Sequence, residues 1–499
     1  VVIDARAKRA TFLVALATAA VALLLLARAA GGYVDPDVFH LMALARATCA
    51  LGHVPTDDLF AYTPTVHPTI QHEWGMGMIL YGIVHAAGAP GLLALRYALT
   101  IALAVACAAC ARRRGASAPV LLLLAPIGVL LASASLSTVR AQMLTLVFTA
   151  LLLLFLEQDR AGKRGWIALW LPLFLVWTNV HGGFVVGLLF LAVHIVEQAL
   201  RRRPVRHLVL VLAACGLLLG ATPYGFAHVP FLVRGILLRR PDVDEWAPIV
   251  RAAPLDVALF AGSLALALGT AWSTGLRRAE GLALLLLSAA ATVLHQRHLG
   301  IYAVAWTCQA PGFVEASSLG PAIRKLWSRS AFATAAFACV LGIGAAASFV
   351  RNRPFALLVP SSPEDGAGWT YPVGAVAWLS DIGFRGNVLT PFHAGAYVSW
   401  KLHPDVRVSF DGRYEVAYPE GAERENVDFF LARPEWRAIL AKYPTDVVLA
   451  AEKEPVARRI SEAPGWKRAY ADGVWSVWSR PGLDLPALER ARIPDATFP

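Results

Sequence analysis

The sequence predicts a polytopic α-helical membrane protein, with about eleven transmembrane helices and a C-terminal soluble α/β domain. Three observations predict it. Mean hydropathy is +0.56 and only 16% of residues are charged, against about 25% in a soluble globular chain. Charge is scarce up to about residue 350 and common beyond it. Long apolar runs recur, with short arginine clusters between them.

A span needs about 20 apolar residues. The expected spans are 11–30, 91–111, 118–137, 142–157, 166–179, 183–200, 207–222, 255–273, 279–294, 298–312 and 331–349. Basic residues precede the first run, as in a signal peptide. No small-residue cleavage site is obvious, so the run reads as a retained helix. The segment 75–88 is short and holds Gly75, Gly77, Gly82, His85 and Gly88; it reads as a helix lying along the outer interface.

Arg6, Lys8 and Arg9 put the N-terminus in the cytoplasm. With 75–88 not crossing, the later basic clusters all return to that side. They are Arg112-Arg113-Arg114, then Arg160 with Lys163 and Arg164, then Arg201-Arg202-Arg203 with Arg206, then Arg277-Arg278, then Arg324-Lys325. The tail then lies outside. The expected division is 1–350 for the transmembrane domain with its large first outer loop 31–90, 351–370 for a linker, and 371–499 for an extracytoplasmic α/β domain. In the tail, 372–382 reads as a helix, 387–390 and 406–410 as strands, 434–442 as a helix and 446–451 as a strand. A hairpin of 466–470 and 474–479 is expected around Asp472-Gly473.

Composition excludes several classes. The net charge of +11 sits in inter-helix clusters rather than on a basic face with interleaved aromatics, so nucleic acid is not an expected partner. Five of the six cysteines lie in apolar stretches. Cys107 and Cys110 form a CxxC without acidic or histidine partners and read as small apolar filler. Structural-zinc spacing, a nucleotide loop, a nucleophile elbow and a metalloprotease motif are all absent from the sequence.

The polar candidates gather on the expected outer side. Asp35-Pro36-Asp37 leads to His40, and Gln71-His72-Glu73-Trp74 closes the first loop. Arg140 with Gln142, Asn179 with His181, Tyr224, Glu245 with Trp246, and His295-Gln296-Arg297-His298 occupy later outer turns. Ionisable groups at membrane depth are costly and mark functional cavities. Each has a plainer reading. Asp35 and Asp37 suit an N-cap for a helix over 37–50, a role compatible with chemistry. His72-Glu73 suits a cap, Arg140 a headgroup anchor, and His40 and His53 ordinary interfacial positions. In the tail, Asp411 and Arg413 end a strand, where loops bind ligands. They also suit an internal ion pair with a turn glycine. The run 423–428 reads as a solvated surface.

Sugar transfer from a lipid-phosphate carrier would use this set. A carboxylate serves as general base to the acceptor, and arginine and histidine take the developing phosphate charge. On these motifs the chain resembles the GT-C superfamily of integral membrane glycosyltransferases, which includes protein O-mannosyltransferases, aminoarabinose transferases and oligosaccharyltransferase catalytic subunits. More closely, it is similar to a group of bacterial GT-C-like membrane proteins. The match continues through Val54-Pro55-Thr56-Asp57-Asp58-Leu59-Phe60-Ala61-Tyr62-Thr63, Arg140-Ala141-Gln142, Asn179-Val180-His181-Gly182-Gly183, Pro223-Tyr224-Gly225, Gly395-Ala396-Tyr397 and Asp411-Gly412-Arg413-Tyr414. It covers about residues 30–480.

The resemblance implies a glycosyltransferase at the outer face of a bacterial inner (plasma) membrane, multi-pass, with a cytoplasmic N-terminus. Its partners would be membrane lipid, a polyprenyl-phosphate-linked sugar donor, and a glycan, lipid or protein acceptor. It makes Asp35 the leading general base, with Asp37 assisting. His72, Glu73, Arg140, His181, Tyr224, Glu245, His295, Arg297 and His298 become substrate-binding candidates. Some superfamily members use a divalent metal and others do not, so a metal at Asp35 and Asp37 stays open and no other cofactor is implied. The chain lacks the WWDYG-type motif of oligosaccharyltransferases, which puts N-glycosylation in doubt. The alternative is a non-catalytic or transport role in lipid-linked glycan or polysaccharide biogenesis, though no internal repeat favours transport.

Overall fold

Runs of alanine, leucine and valine make helices of most of the chain in the computed structural model. It describes residues 2–238, 243–494 and 498–499; the side chains of 2–7, 236, 237 and 415, including Arg6, lie outside that description. The chain divides into two compact units. One comprises Val1–Gly32 and Leu93–Ala356, the other Tyr33–Leu92 and Leu357–Pro499.

In the first unit a helix stands at every expected span, although several are shorter than expected. Among the described residues, five helices are long and apolar enough to cross a membrane: Lys8–Ala29, Trp74–Arg113, Gln142–Arg160, Pro254–Thr274 and Ala331–Arg351. The expected span 118–137 is helical over Ala118–Leu131, with Pro126 inside it, and again over Ser133–Leu136.

Helix Leu299–Ala316 forms the centre of this unit and is buried along nearly its whole length. Trp306 Nε1 donates to Ser263 O at 2.9 Å, and the Tyr302 hydroxyl lies 2.9 Å from Ser263 Oγ. Helices Val2–Ala29 and Ala331–Arg351 pack through Ala17, Ala20 and Ala27 against Ala338 and Ala345. Small residues allow such close approach where no water drives helices together. The stretch Trp74–Arg113 is interrupted at Gly88, whose φ of 59° and ψ of −150° only glycine adopts readily. That break separates the two segments the sequence kept apart.

The second unit is built on a six-stranded sheet. Its strands are β1 (Gly386–Leu389), β2 (Val406–Val408), β3 (Val447–Ala451), β4 (Lys467–Ala471), β5 (Trp475–Ser479) and β6 (Leu488–Glu489), ordered β2-β1-β3-β5-β4-β6. β2, β1 and β3 run parallel, while β5 is antiparallel to both β3 and β4. The wholly buried Val-Val-Leu-Ala-Ala of β3 explains its central place. The expected hairpin forms around Asp472, whose Oδ1 accepts from the backbone N–H of Val474 and Trp475. Helix is confined to Ala438–Lys442 where 434–442 was expected.

The loop 31–90, assigned from sequence to the transmembrane domain, falls largely in this second unit. Backbone pairing is the reason. Val408 N donates to Phe60 O at 2.9 Å and Tyr62 N to Val408 O at 3.1 Å, which extends the sheet beyond β2. Val34 N donates to Leu358 O at 2.9 Å. Helix Pro36–Leu51 packs on helix Phe392–Leu402, with Phe39 edge-on to Tyr397 and Tyr371.

Candidate functional site

The candidate residues fall into one constellation of ionisable groups in each unit, apart from a separate network of the first unit in which Arg160 joins Glu157, Glu197 and Glu280. In the second unit, Asp35 caps helix Pro36–Leu51 and accepts from Asp37 N at 3.0 Å. Pro36 suits the first helical position, where its missing N–H costs nothing. Gly52, with φ of 75°, ends the helix. Asp35 is 2% exposed, whereas the Asp37 side chain is 40% exposed and lies 3.9 Å from His40 Nδ1. Of the two aspartates, Asp37 therefore has the more reachable carboxylate.

His40 was expected to be an ordinary interfacial residue. Its side chain is instead 12% exposed, among Asp411, Arg413 and Asp35. Burial pushes its pKa down to about 4; Asp411 and Asp35 oppose that shift and Arg413 adds to it.

Asp411 and Arg413 form the buried pair the plainer reading expected. Arg413 Nε donates to both Asp411 oxygens, at 2.9 and 3.1 Å, and Nη2 donates at 2.8 Å. Arg413 Nη1 also donates to Asp58, a residue of the sequence motif that had no assigned role. Asp58 Oδ2 in turn accepts from Phe60 N and Ala61 N, so the cluster pins the added edge segment. Burial alone would lower the Arg413 pKa, but Asp411 and Asp58 hold it well above its ordinary value. Burial would likewise raise the Asp411 pKa, and Arg413 brings it below the usual carboxylate range. Gly395 packs so closely on Phe410 O that a side chain there would collide with β2's continuation.

His72 and Glu73 precede the helical turn beginning at Trp74, with His72 Nε2 3.6 Å from Glu73 Oε1. Among the described residues, no group of three or more His, Cys, Asp or Glu side chains is arranged to hold a metal. Asp35 and Asp37 bring two carboxylates, the number with which a magnesium ion is commonly held when water and substrate phosphate complete its shell.

In the first unit, Glu245 lies on the turn Asp244–Trp246 and bridges two arginines. Its oxygens stand 3.1 Å from Arg140 Nη1 and 3.4 Å from Arg297 Nη1. The Arg297 guanidinium lies over the Trp246 ring, 4.3 Å from its centroid. His295 Nδ1 is 2.6 Å from Trp246 O, and Gln142 Nε2 donates to Arg297 O at 3.1 Å. His295 and His298 face edge to ring at 6.0 Å. Arg140, Glu245 and Arg297 line a cavity of about 320 Å³, which Gln142, Asp244 and Asp256 also reach. Arg140 thus pairs with Glu245 at the cavity wall.

His181 ends helix Trp166–Val180. Its Nδ1 accepts from Gly183 N at 2.9 Å and lies 2.8 Å from Thr145 Oγ1. The Arg297 charge reaches it. Tyr224 sits on the turn before Gly225–Ala227 and is not among the cavity's lining residues. Gln142 was singled out beside Arg140 without an assigned role, Asp58 lay in a recognised motif without one, and Thr145 was not singled out. Asp256 gave no signal, because a single acid at a helix start reads as ordinary capping.

No protein-family model matches the chain, and no curated protein matches it. Its fold is similar to the crystal structure of the Archaeoglobus fulgidus oligosaccharyltransferase in the apo form. The TM-score is 0.54 over 96% of this chain and 75% of that one, at 12% identity. At this identity the likeness is one of fold alone.

Proposed function

We propose that the chain is a membrane glycosyltransferase of GT-C type. It takes a sugar from a polyprenyl-phosphate-linked donor at the outer face of a bacterial inner membrane and passes it to a glycan, lipid or protein acceptor. The observation that carries this reading is the Arg140–Glu245–Arg297 bridge in a cavity. Two guanidiniums already hold one anion there. A departing phosphate needs the same donors, and arginine's fork meets its oxygens in pairs. Trp246 fixes one face of Arg297, which orients the fork before any ligand arrives.

The acceptor hydroxyl must lose its proton as the donor bond breaks. An aspartate of the Asp35–Asp37 pair takes it, Asp35 by resemblance and Asp37 by exposure. The sugar then leaves the phosphate for the acceptor oxygen, and the arginines carry the developing phosphate charge.

Transfer from a synthetic polyprenyl-phosphate sugar, measured on the purified full chain, tests the reading. Arg297→Gln is expected to lower the rate by about 10²–10³, as loss of one charge-stabilising donor does. Replacing the base, by Asp35→Asn or Asp37→Asn, is expected to lower it by about 10²–10⁴. Full transfer in both aspartate variants would remove the base, and binding of the donor without any turnover would favour the non-catalytic alternative. Activity that survives chelation would remove the metal.

A further inference from the structure

The second unit holds a cavity that none of the chemistry above uses. It measures about 200 Å³ and lies where β2 ends, with Ser409 and Phe410 on its wall. Loops beyond the carboxyl ends of parallel strands are where open α/β sheets bind ligands. Thr63, from the segment added at the β2 edge, closes one side and donates to Ser409 O at 2.6 Å.

The lining has two characters. Phe410, Pro419 and Ile439 give an apolar wall. Glu425, Asn426, Lys442 and Tyr443 give a polar one, and their side chains are already tied together. Glu425 accepts from Lys442 Nζ through one oxygen and from the Tyr443 hydroxyl, at 3.0 Å, through the other. Asn426, 3% exposed, donates Nδ2 to Thr390 O at 2.9 Å, which fixes the direction of its amide. Groups held before a ligand arrives lose little entropy on binding.

Size and charge narrow the ligand. The volume is below the roughly 300–1,000 Å³ of pockets for drug-sized ligands, which leaves room for about one ring. Glu420 and Glu425 outnumber Lys442, which disfavours a phosphate, and both Glu425 oxygens are already engaged by Lys442 and Tyr443, which leaves no open carboxylate pair for a cation. A neutral ring with an apolar face and a hydroxyl edge matches both walls.

We propose that this cavity is a subsite for one neutral sugar ring of the acceptor, gripped at its hydroxyls by Glu425, Asn426 and Lys442 and covered on its apolar face by Phe410 and Ile439. This identifies the acceptor as a glycan and rests on the glycosyltransferase reading above.

The test is saturation-transfer NMR on the full chain in lipid nanodiscs, since sugar-headed detergents would compete. The probes are the methyl glycosides of glucose, galactose, mannose, N-acetylglucosamine and arabinose, each at about 10 mM to populate a millimolar site. At least one glycoside is expected to bind. Glu425→Gln and Lys442→Met, both at the half-exposed rim where folding is spared, are each expected to weaken it about tenfold through loss of a charge-assisted hydrogen bond. Absence of binding across all five probes overturns the proposal. So does binding that both variants leave unchanged, or displacement of the glycoside only by an arginine-containing peptide. Polyprenyl-phosphate binding by Arg297→Gln is read separately. If it matches wild type while the glycoside still binds, the donor reading fails and the subsite stands.

Discussion

The Asp58–Arg413–Asp411 cluster and the Arg140–Glu245–Arg297 cluster each join three charged groups, with the signs reversed. In the first, the side chains are at most 2% exposed. In the second they are 25–38% exposed. Arg413 spends its donors on two carboxylates that are themselves bound to backbone N–H groups. At 2% exposure the Arg413 side chain is out of a ligand's reach, and removing it strands two carboxylates in a low-dielectric interior. Glu245 is held at 3.1 and 3.4 Å, longer than the roughly 2.7–2.9 Å of a tight ion pair. Water can replace either contact. The same residue types thus make a clamp where they are buried and a binding site where they are half open.

The largest effect should come from the clamp. Arg413→Met leaves Asp411 and Asp58 buried without their cation, and is expected to cost about 3–5 kcal/mol of unfolding free energy. Denaturant unfolding of the purified chain would show it. Arg140→Gln, measured the same way, should cost no more than about 1 kcal/mol, as for an exposed pair. Equal losses would erase the distinction between the two clusters.

His40 sharpens the clamp side. Its imidazole, at about 4 in the folded protein, is 6.5 when unperturbed. Between those values the unfolded chain binds a proton that the folded chain refuses. Stability is therefore complete above about pH 6.5 and is lost as pH falls towards 4, by up to about 3 kcal/mol. Asp411 does not confuse this window, because its depressed pKa places its own loss at lower pH. Other buried histidines titrate too, so the quantity to read is the difference between wild type and His40→Gln from pH 7 to pH 5. Parallel curves would mean that water reaches the His40 ring.

The open cluster predicts an opposite sign. Its cavity presents two arginines to three carboxylates, Asp244, Glu245 and Asp256. A phosphate must enter by exchange with Glu245. Glu245→Gln is therefore expected to bind inorganic phosphate about tenfold more tightly in calorimetry, a gain of about 1.4 kcal/mol. Weaker binding would mean that Glu245 orients the arginines rather than competing with the ligand.

How much of this the sequence revealed depends on the range of each interaction. Helix positions follow from local apolar runs, and the Asp35 cap and the Asp472-Gly473 turn are made by residues within three of one another. The bond from Arg413 to Asp58 joins residues 355 apart, and no local pattern announces it. The same distance hid the pairing of the first loop with the tail and the burial of His40. Helix Phe392–Leu402 went unread because Gly395, Tyr397 and Val398 are weak helix formers, and packing on helix Pro36–Leu51 overrides their preference. The run 423–428 was read as a solvated surface, yet Asn426 within it is buried. In the first unit, Arg140 and Arg297 were both singled out, but their sharing of Glu245 is visible only in three dimensions.

The smallest effect separates capping from chemistry at Asp35. Its Oδ1 accepts from Asp37 N, so the side chain does structural work whether or not it removes a proton. Asp35→Ala loses that bond and is expected to cost about 1 kcal/mol. Asn caps a helix about as well as Asp, so Asp35→Asn should cost only a few tenths. The Asn variant therefore removes the charge and keeps the cap. Equilibrium unfolding of both variants measures the cap, and transfer by Asp35→Asn measures the base without it. If Asp35→Asn unfolds like wild type and still transfers sugar, Asp35 is a cap alone. The base must then be the half-exposed Asp37, beside His40 and outside the buried clamp.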